Sequence, residues 1–337
     1  MKILLVANFK HSIGGISGQV ELLHHYLNAE GIEAEIYSTR GSALSRLKMF
    51  SHLRNAAAEY DVIHVHCCSM LGFFPAILAI SVAKRLKKRI ICTYHGGGAE
   101  PFFRRFKWLV RHYLCQTDAN IVLSGFLAKV FEEFGIPYKM IPNIIQTDGT
   151  QFRKRSEIKP KFISVRSLEP VYDIPCIIKA FAIVRREIGD AQLTILGDGR
   201  CRKELEKLVE QMQIEGITFV GQVPNESVYD YMGVADVFLS APKFDNQPMS
   251  ILEAFKCGLL VISSNVGGVP NMIDEGRNGM MFESGNHKEL ADKMLWAVRY
   301  PAESITMMEA GNRELHRYKW ESVREDLLAL YRLTVAN

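Results

Sequence analysis

The stretch that decides the fold is Asp245-Asn-Gln-Pro-Met-Ser-Ile-Leu-Glu253, followed by Ala254, Phe255, Lys256, Cys257 and Gly258. It follows an apolar, strand-like run that ends near Ser240, and it opens a helix at about Pro248. At helical spacing, Asn246, Ser250 and Glu253 fall at i, i+4 and i+7 on one face. Ile251, Leu252, Ala254 and Phe255 cover the rest, so the helix reads as buried nearly all round. A carboxylate there needs a partner, because an unpaired buried charge is costly. Sugar hydroxyls are suitable donors, and the N–H groups around Met249–Ile251 suit a phosphate. An ordinary amphipathic helix with Glu253 in water satisfies the same pattern.

Outward from this segment, short apolar runs alternate with longer periodic ones. In the first half, strands are expected at Lys2–Ala7, Glu33–Ser38, Val62–His66, Arg89–Tyr94, Asn120–Leu123 and Tyr138–Ile141. In the second they are expected at Phe162–Val165, Gln192–Leu196, Thr218–Val220, Asp236–Leu239 and Leu260–Ser263. Strand, helix, strand is the signature of βαβ units and a parallel sheet. Asp173 ahead of Pro175 reads as a helix cap, and Gly258 reads as a helix end. The polar run from Gln146 to Pro160 is the best linker. The fold class is α/β, with two Rossmann-like domains: 1–148, with a last helix over 318–337 packing back on it, and 149–317. Facing halves put a ligand cleft between the carboxyl ends of their sheets.

Composition narrows the function. Of 337 residues, 48% are hydrophobic and 23% charged, a globular balance. The net charge of +4 is too weak to argue for nucleic acid. Residues 1–150 hold 17 Lys/Arg against 11 Asp/Glu, and the remainder 24 against 26. A mildly basic first half suits an anionic ligand or a membrane surface. The seven Cys are odd in number and lack CxxC spacing, which fits a reduced, cytoplasmic compartment. The opening residues 1–10 read as a first strand rather than a signal peptide. Met70–Ala83 is apolar but short of the ~20 residues that span a bilayer, so a buried helix is expected.

The Asp245–Glu253 segment resembles the E-x7-E signature of the family-4 glycosyltransferases, which have the GT-B fold. The likeness continues through Val266-Gly267-Gly268-Val269-Pro270. It extends back through Gly197-Asp198-Gly199, Phe219-Val220-Gly221 and Ala235-Asp236-Val237. Arg166 with Leu168 and Glu169, Ile141-Pro142-Asn143 and Lys319-Trp320-Glu321 also match the family. The resemblance implies a retaining enzyme that needs no metal and no cofactor beyond a nucleotide sugar as co-substrate. It implies that Glu253 accepts hydrogen bonds from ribose, that Asp245 binds the transferred sugar, and that Arg166 neutralises the diphosphate. Gly15, Gly197, Gly199, Val220, Gln222, Pro248, Met249, Ser250 and Ile251 would line the donor. His95, at a strand end before three glycines, would touch the donor sugar. The leaving phosphate would help deprotonate the acceptor. Two departures stand out: the first family glutamate is Asp245, and the family's Lys falls at Tyr172, with Asp173 where Gly is common.

The glycines at 14, 15 and 18 also raise a dinucleotide site, but Tyr37-Ser38-Thr39-Arg40 supplies no acid to hold a ribose. His64, His66, Cys67 and Cys68 raise a metal site, yet no second ligand pair has metal spacing. Two competing readings are a sugar-nucleotide epimerase of the same fold and a nucleotide-sugar-binding partner without turnover. Finally, one helix over 102–114 is expected to place Arg104, Arg105, Lys107 and Arg111 on one face with Trp108. Phe102, Phe103, Phe106, Leu109, Val110, Tyr113 and Leu114 take the other. Such a face suits an anionic membrane and a lipid-linked acceptor, with the 84–89 basic run adding to it.

Overall fold

A computed structural model describes residues 1–11, 15–41, 43–146 and 152–336. The chain forms two compact units: residues 1–146 with 317–337, and residues 147–316.

The first unit opens with β1 (Lys2–Ala7), α1 (Ile16–Ala29), β2 (Glu33–Ser38), α2 (Ala43–Ala57) and β3 (Val62–Cys67). It continues with α3 (Phe74–Leu86), β4 (Arg89–Tyr94), α4 (Ala99–Arg105), α5 (Lys107–Leu114), β5 (Ala119–Val122), α6 (Gly125–Glu133) and β6 (Lys139–Met140). The second unit holds β7 (Lys161–Val165), α7 (Ile174–Glu187), β8 (Gln192–Leu196), α8 (Arg202–Met212), β9 (Ile217–Gly221) and α9 (Asn225–Val234). After these come β10 (Val237–Ser240), α10 (Met249–Lys256), β11 (Leu260–Ser264), β12 (Met280–Phe282), α11 (His287–Arg299) and α12 (Pro301–Glu314). The last helix, α13 (Trp320–Ala336), belongs to the first unit.

Each unit carries a six-stranded parallel sheet. The orders are β2-β1-β3-β4-β5-β6 and β12-β11-β10-β7-β8-β9. Central strands such as β1, β3 and β11 are buried on both faces, which is why they read as continuous apolar runs instead of alternating ones. The strand order reverses between β1 and β3 in the first sheet, and between β7 and β10 in the second. Ligand crevices in such sheets lie at the carboxyl ends of the strands beside that reversal.

In the first unit, α13 covers the sheet face bearing Val62 and Ile91. Trp320 stacks on Tyr26 with ring centroids 4.9 Å apart, and its indole N–H donates to Glu30 at 3.0 Å. In the second, a buried ion pair ties the segment before β7 to the sheet. Arg155 Nε donates to Asp236 at 2.7 Å, and the Lys159 N–H donates to the second carboxylate oxygen at 2.8 Å. Arg155 also donates to the carbonyls of Ala235 and Gly258, so its positive charge is fully engaged among buried groups.

Several expectations need correcting. Most strand bounds shift by a residue or so, and β12 was not foreseen because three residues carry too little pattern. The expected single helix over 102–114 breaks at Phe106 (φ −121, ψ 36) into α4 and α5. Met70–Ala83 is not one buried helix: a 3-10 turn over Met70–Phe73 leaves Met70 and Leu71 exposed before α3 begins. Asp173 does sit at the start of α7, but its side chain makes no capping bond. Its backbone is left-handed (φ 43), a conformation that glycine, the residue the resemblance would put there, adopts at lower cost. Gly14 and the linker residues 147–151 lie outside the described residues.

Candidate active site

The site in the second unit is built where the loops after β7 and β10 meet at the strand-order reversal. Arg166 directly follows β7, and Asp245 lies in the loop after β10. The two form an ion pair, with the guanidinium only 13% exposed. Tyr172, in the turn that enters α7, places its ring 4.6 Å beneath the same guanidinium. One cation is therefore held from two sides, by a carboxylate and by an aromatic face. The Arg166 Nε is buried without a hydrogen-bond partner, a donor left for something else.

Glycines let the neighbouring loop come this close. A Cβ on Gly197 (φ 133) would lie 2.0 Å from the Arg166 carbonyl oxygen. One on Gly199 would lie 2.5 Å from that of Leu168. Both glycines thus serve backbone contact between the β7 and β8 loops. The Arg166 N–H donates to Leu196 at 3.0 Å and the Leu168 N–H to Asp198 at 3.0 Å, which locks that contact.

Helix α10 brings the rest. It begins at Met249 behind Pro248, so Asn246 lies ahead of it and shares no helical face with Ser250 and Glu253. The Ile251 N–H is taken by the Pro248 carbonyl at 3.1 Å, which removes it from the expected anion site. Ser250 is buried and its hydroxyl has no partner. Glu253 sits half-buried between Leu252 and Ala254, both fully buried. Burial pushes its carboxyl above the usual range, against the opposing pull of Arg166 and then Lys256. Lys256 in turn lies 4.6 Å over the Tyr229 ring. Val220 lies in β9 and Gln222 is exposed just beyond it.

In the first unit, Gly15 (φ 70) precedes α1 with no atom within 4 Å of where a Cβ would stand, so its left-handed backbone, not crowding, explains the residue. His95 follows β4, beside the end of β3. Its N–H donates to Cys67 at 2.8 Å, and its Nε2 lies 3.0 Å from His66 Nδ1. Burial pulls its imidazole down to about 3, so it is neutral at physiological pH. His64 is a structural group: its ring nitrogens bond Tyr331 at 2.6 Å and Thr93 at 2.7 Å.

The basic face of α4 and α5 is smaller than expected. Arg104 pairs with Glu100 at 3.1 Å and Glu133 at 2.8 Å, and Arg111 donates to the Phe134 carbonyl at the end of α6. Arg105, Lys107 and Trp108 remain exposed, Trp108 at 85%, and Leu109 joins them instead of the core. Among the described residues no helix is long and apolar enough to cross a membrane.

Two six-stranded parallel sheets in these orders are the GT-B arrangement. Two family descriptions match consecutive stretches: Glycosyltransferase Family 4 over residues 34–148 and Glycosyl transferases group 1 over residues 148–314. The chain belongs to the group 1, family-4 glycosyltransferases. The N-acetyl-alpha-D-glucosaminyl L-malate synthase of Bacillus anthracis is 26% identical over 81% of this chain and 71% of its own length. The alpha-monoglucosyldiacylglycerol synthase of Streptococcus pneumoniae is 26% identical over 74% of this chain and 62% of its own. In fold, the chain is similar to Anabaena HepE in complex with UDP and glucose. The TM-score is 0.80 at 15% identity, covering 98% of this chain and 99% of that one.

Proposed function

We propose that this chain is a retaining, metal-independent glycosyltransferase that uses a nucleoside-diphosphate sugar. The observation that carries this reading is Arg166, fixed by Tyr172 and Asp245 with an unused buried Nε. A planar, permanently charged fork suits a diphosphate whose charge grows as the glycosidic bond breaks. Tyr172 replaces a second cation with a ring, so Arg166 is the principal positive group for the leaving phosphate. Glu253 accepts from the ribose hydroxyls, the Ser250 hydroxyl contributes a donor, and Asp245 and His95 contact the transferred sugar. The bond from the anomeric carbon to the phosphate oxygen breaks. A bond to the acceptor oxygen forms on the same face. The acceptor proton passes to the leaving diphosphate.

The complex of HepE with UDP and glucose makes UDP-sugars the first choice to test. The direct experiment is UDP release from a panel of UDP-sugars, with and without EDTA. Release by at least one sugar, undiminished by EDTA, supports the reading. Loss in EDTA that magnesium or manganese restores overturns metal independence.

The exposed Trp108, Leu109, Arg105 and Lys107 support a finer reading, in which the first unit works at the surface of the cytoplasmic membrane on a lipid-linked acceptor for glycan synthesis. The relative named for a glucosyldiacylglycerol product points the same way.

A further inference from the structure

The first unit holds a row of imidazoles of which the donor reading uses only one. His64 and His66 share a face of β3, with ring centroids 4.4 Å apart. His64 is satisfied at both nitrogens. His66 is not: its Nδ1 meets His95 Nε2 at 3.0 Å, while its Nε2 is buried without a partner. The residue is 4% exposed. Its ring lies 5.3 Å from that of His95, at 26° between planes. Both rings line a cavity of about 40 Å³, together with Gln19, Thr93 and Asn143.

Proton bookkeeping decides what this contact does. Burial holds both imidazoles neutral, so a single proton lies between His66 Nδ1 and His95 Nε2. If His95 supplied that proton, His66 would carry its own on Nε2, a buried N–H with no acceptor in the protein. If His66 supplies it, the unpartnered Nε2 is only a lone pair. Orphaned buried N–H groups are the rarer and costlier case, which favours the second arrangement. His95 then accepts at Nε2 and carries its proton on Nδ1.

We propose that His66 is a positioning residue that holds His95 in the Nδ1–H tautomer, so that His95 meets the transferred sugar as a hydrogen-bond donor. The proposal rests on the reading of His95 as a sugar contact. It adds a residue that touches no substrate and acts only through its neighbour.

Long-range ¹H–¹⁵N correlation on the uniformly labelled full chain reads the tautomer of each histidine. The wild type should show His95 protonated at Nδ1. His66→Leu should move that proton to Nε2 or mix the two forms. It should also lower kcat for UDP-sugar hydrolysis about threefold to tenfold with KM little changed. His66→Gln keeps an N–H donor and should recover part of the loss. Thermal midpoints of all variants separate these effects from misfolding. A wild-type His95 protonated at Nε2 overturns the proposal. So does a His66→Leu variant with an unchanged His95 spectrum, however much activity it loses. His95→Ala isolates the underlying reading: if it turns over like the wild type, His95 is not a sugar contact, and the tautomer spectra still judge His66 by themselves.

Discussion

Replacing Glu253 with Gln should move stability and donor binding in opposite directions. In the free chain the carboxylate sits among fully buried neighbours on α10, and burial raises its pKa while Arg166 and Lys256 only partly oppose this. The folded state therefore holds the Glu253 proton to higher pH than the unfolded chain does. Over the window above the ordinary carboxylate range, folding binds more protons, so this group makes stability fall as pH rises. Gln carries no charge to desolvate. A buried polar group without a full partner costs on the order of 1 kcal/mol, so the gain should be of that size or less near pH 7.5. In a unit of this size that is a rise of about 2–4 °C in the midpoint. The gain should shrink as the pH falls through the ordinary carboxylate range and vanish below it, where Glu253 is neutral in both states. Donor binding should weaken, because a charge-assisted hydrogen bond to ribose is worth about 1.5–3 kcal/mol, roughly tenfold to hundredfold in affinity. Differential scanning fluorimetry across pH, together with calorimetric titration of a UDP-sugar, reads both. A variant that is less stable at pH 7.5 would mean the carboxylate already has a strong partner. Unchanged affinity would remove Glu253 from the donor site.

Arg166→Ala should reduce kcat and kcat/KM more than Arg166→Lys does, because Lys keeps charge but loses the fork and the stacking on Tyr172; equal turnover in both variants and the wild type would place the diphosphate elsewhere. Asp236→Ala leaves Arg155 buried and uncompensated, and should destabilise the second unit by about 3–5 kcal/mol, lowering its midpoint by on the order of 10 °C; a shift within 2 °C would refute the lock. Sedimentation with vesicles rich in anionic lipid should capture the full chain at low salt and release it at high salt, and Trp108→Ala with Lys107→Glu should weaken capture; a wild type left in the supernatant at low salt argues for a soluble acceptor.

Most of the sheet framework was legible because buried parallel strands leave continuous apolar runs, and β1, β2, β4 and β8 are bounded as their sequence suggests. Residues that take their place from long-range contact were less so. Tyr172 reads only as a departure from a family pattern until its ring is found under Arg166. Asp236 reads as part of a motif, yet its partner Arg155 comes from the polar stretch that looked like linker. His66 reads as half of a strand face, and only the loop after β4 brings His95 to it. The basic helix was over-read because periodicity ignores what the neighbours offer: Glu100 and Glu133 claim Arg104, and the end of α6 claims Arg111. The left-handed backbone at Asp173 is set by the turn into α7 and leaves no mark in the local sequence pattern.

The most direct test of transfer with retention is the anomeric configuration of the first sugar formed. An α-linked UDP-sugar that the full chain hydrolyses slowly can be followed by ¹H NMR before mutarotation sets in, with UDP release counted in parallel. The α-anomer should appear first, in step with UDP, and be lost in Arg166→Ala. A β-anomer appearing first, or sugar chemistry that releases no UDP, would contradict it.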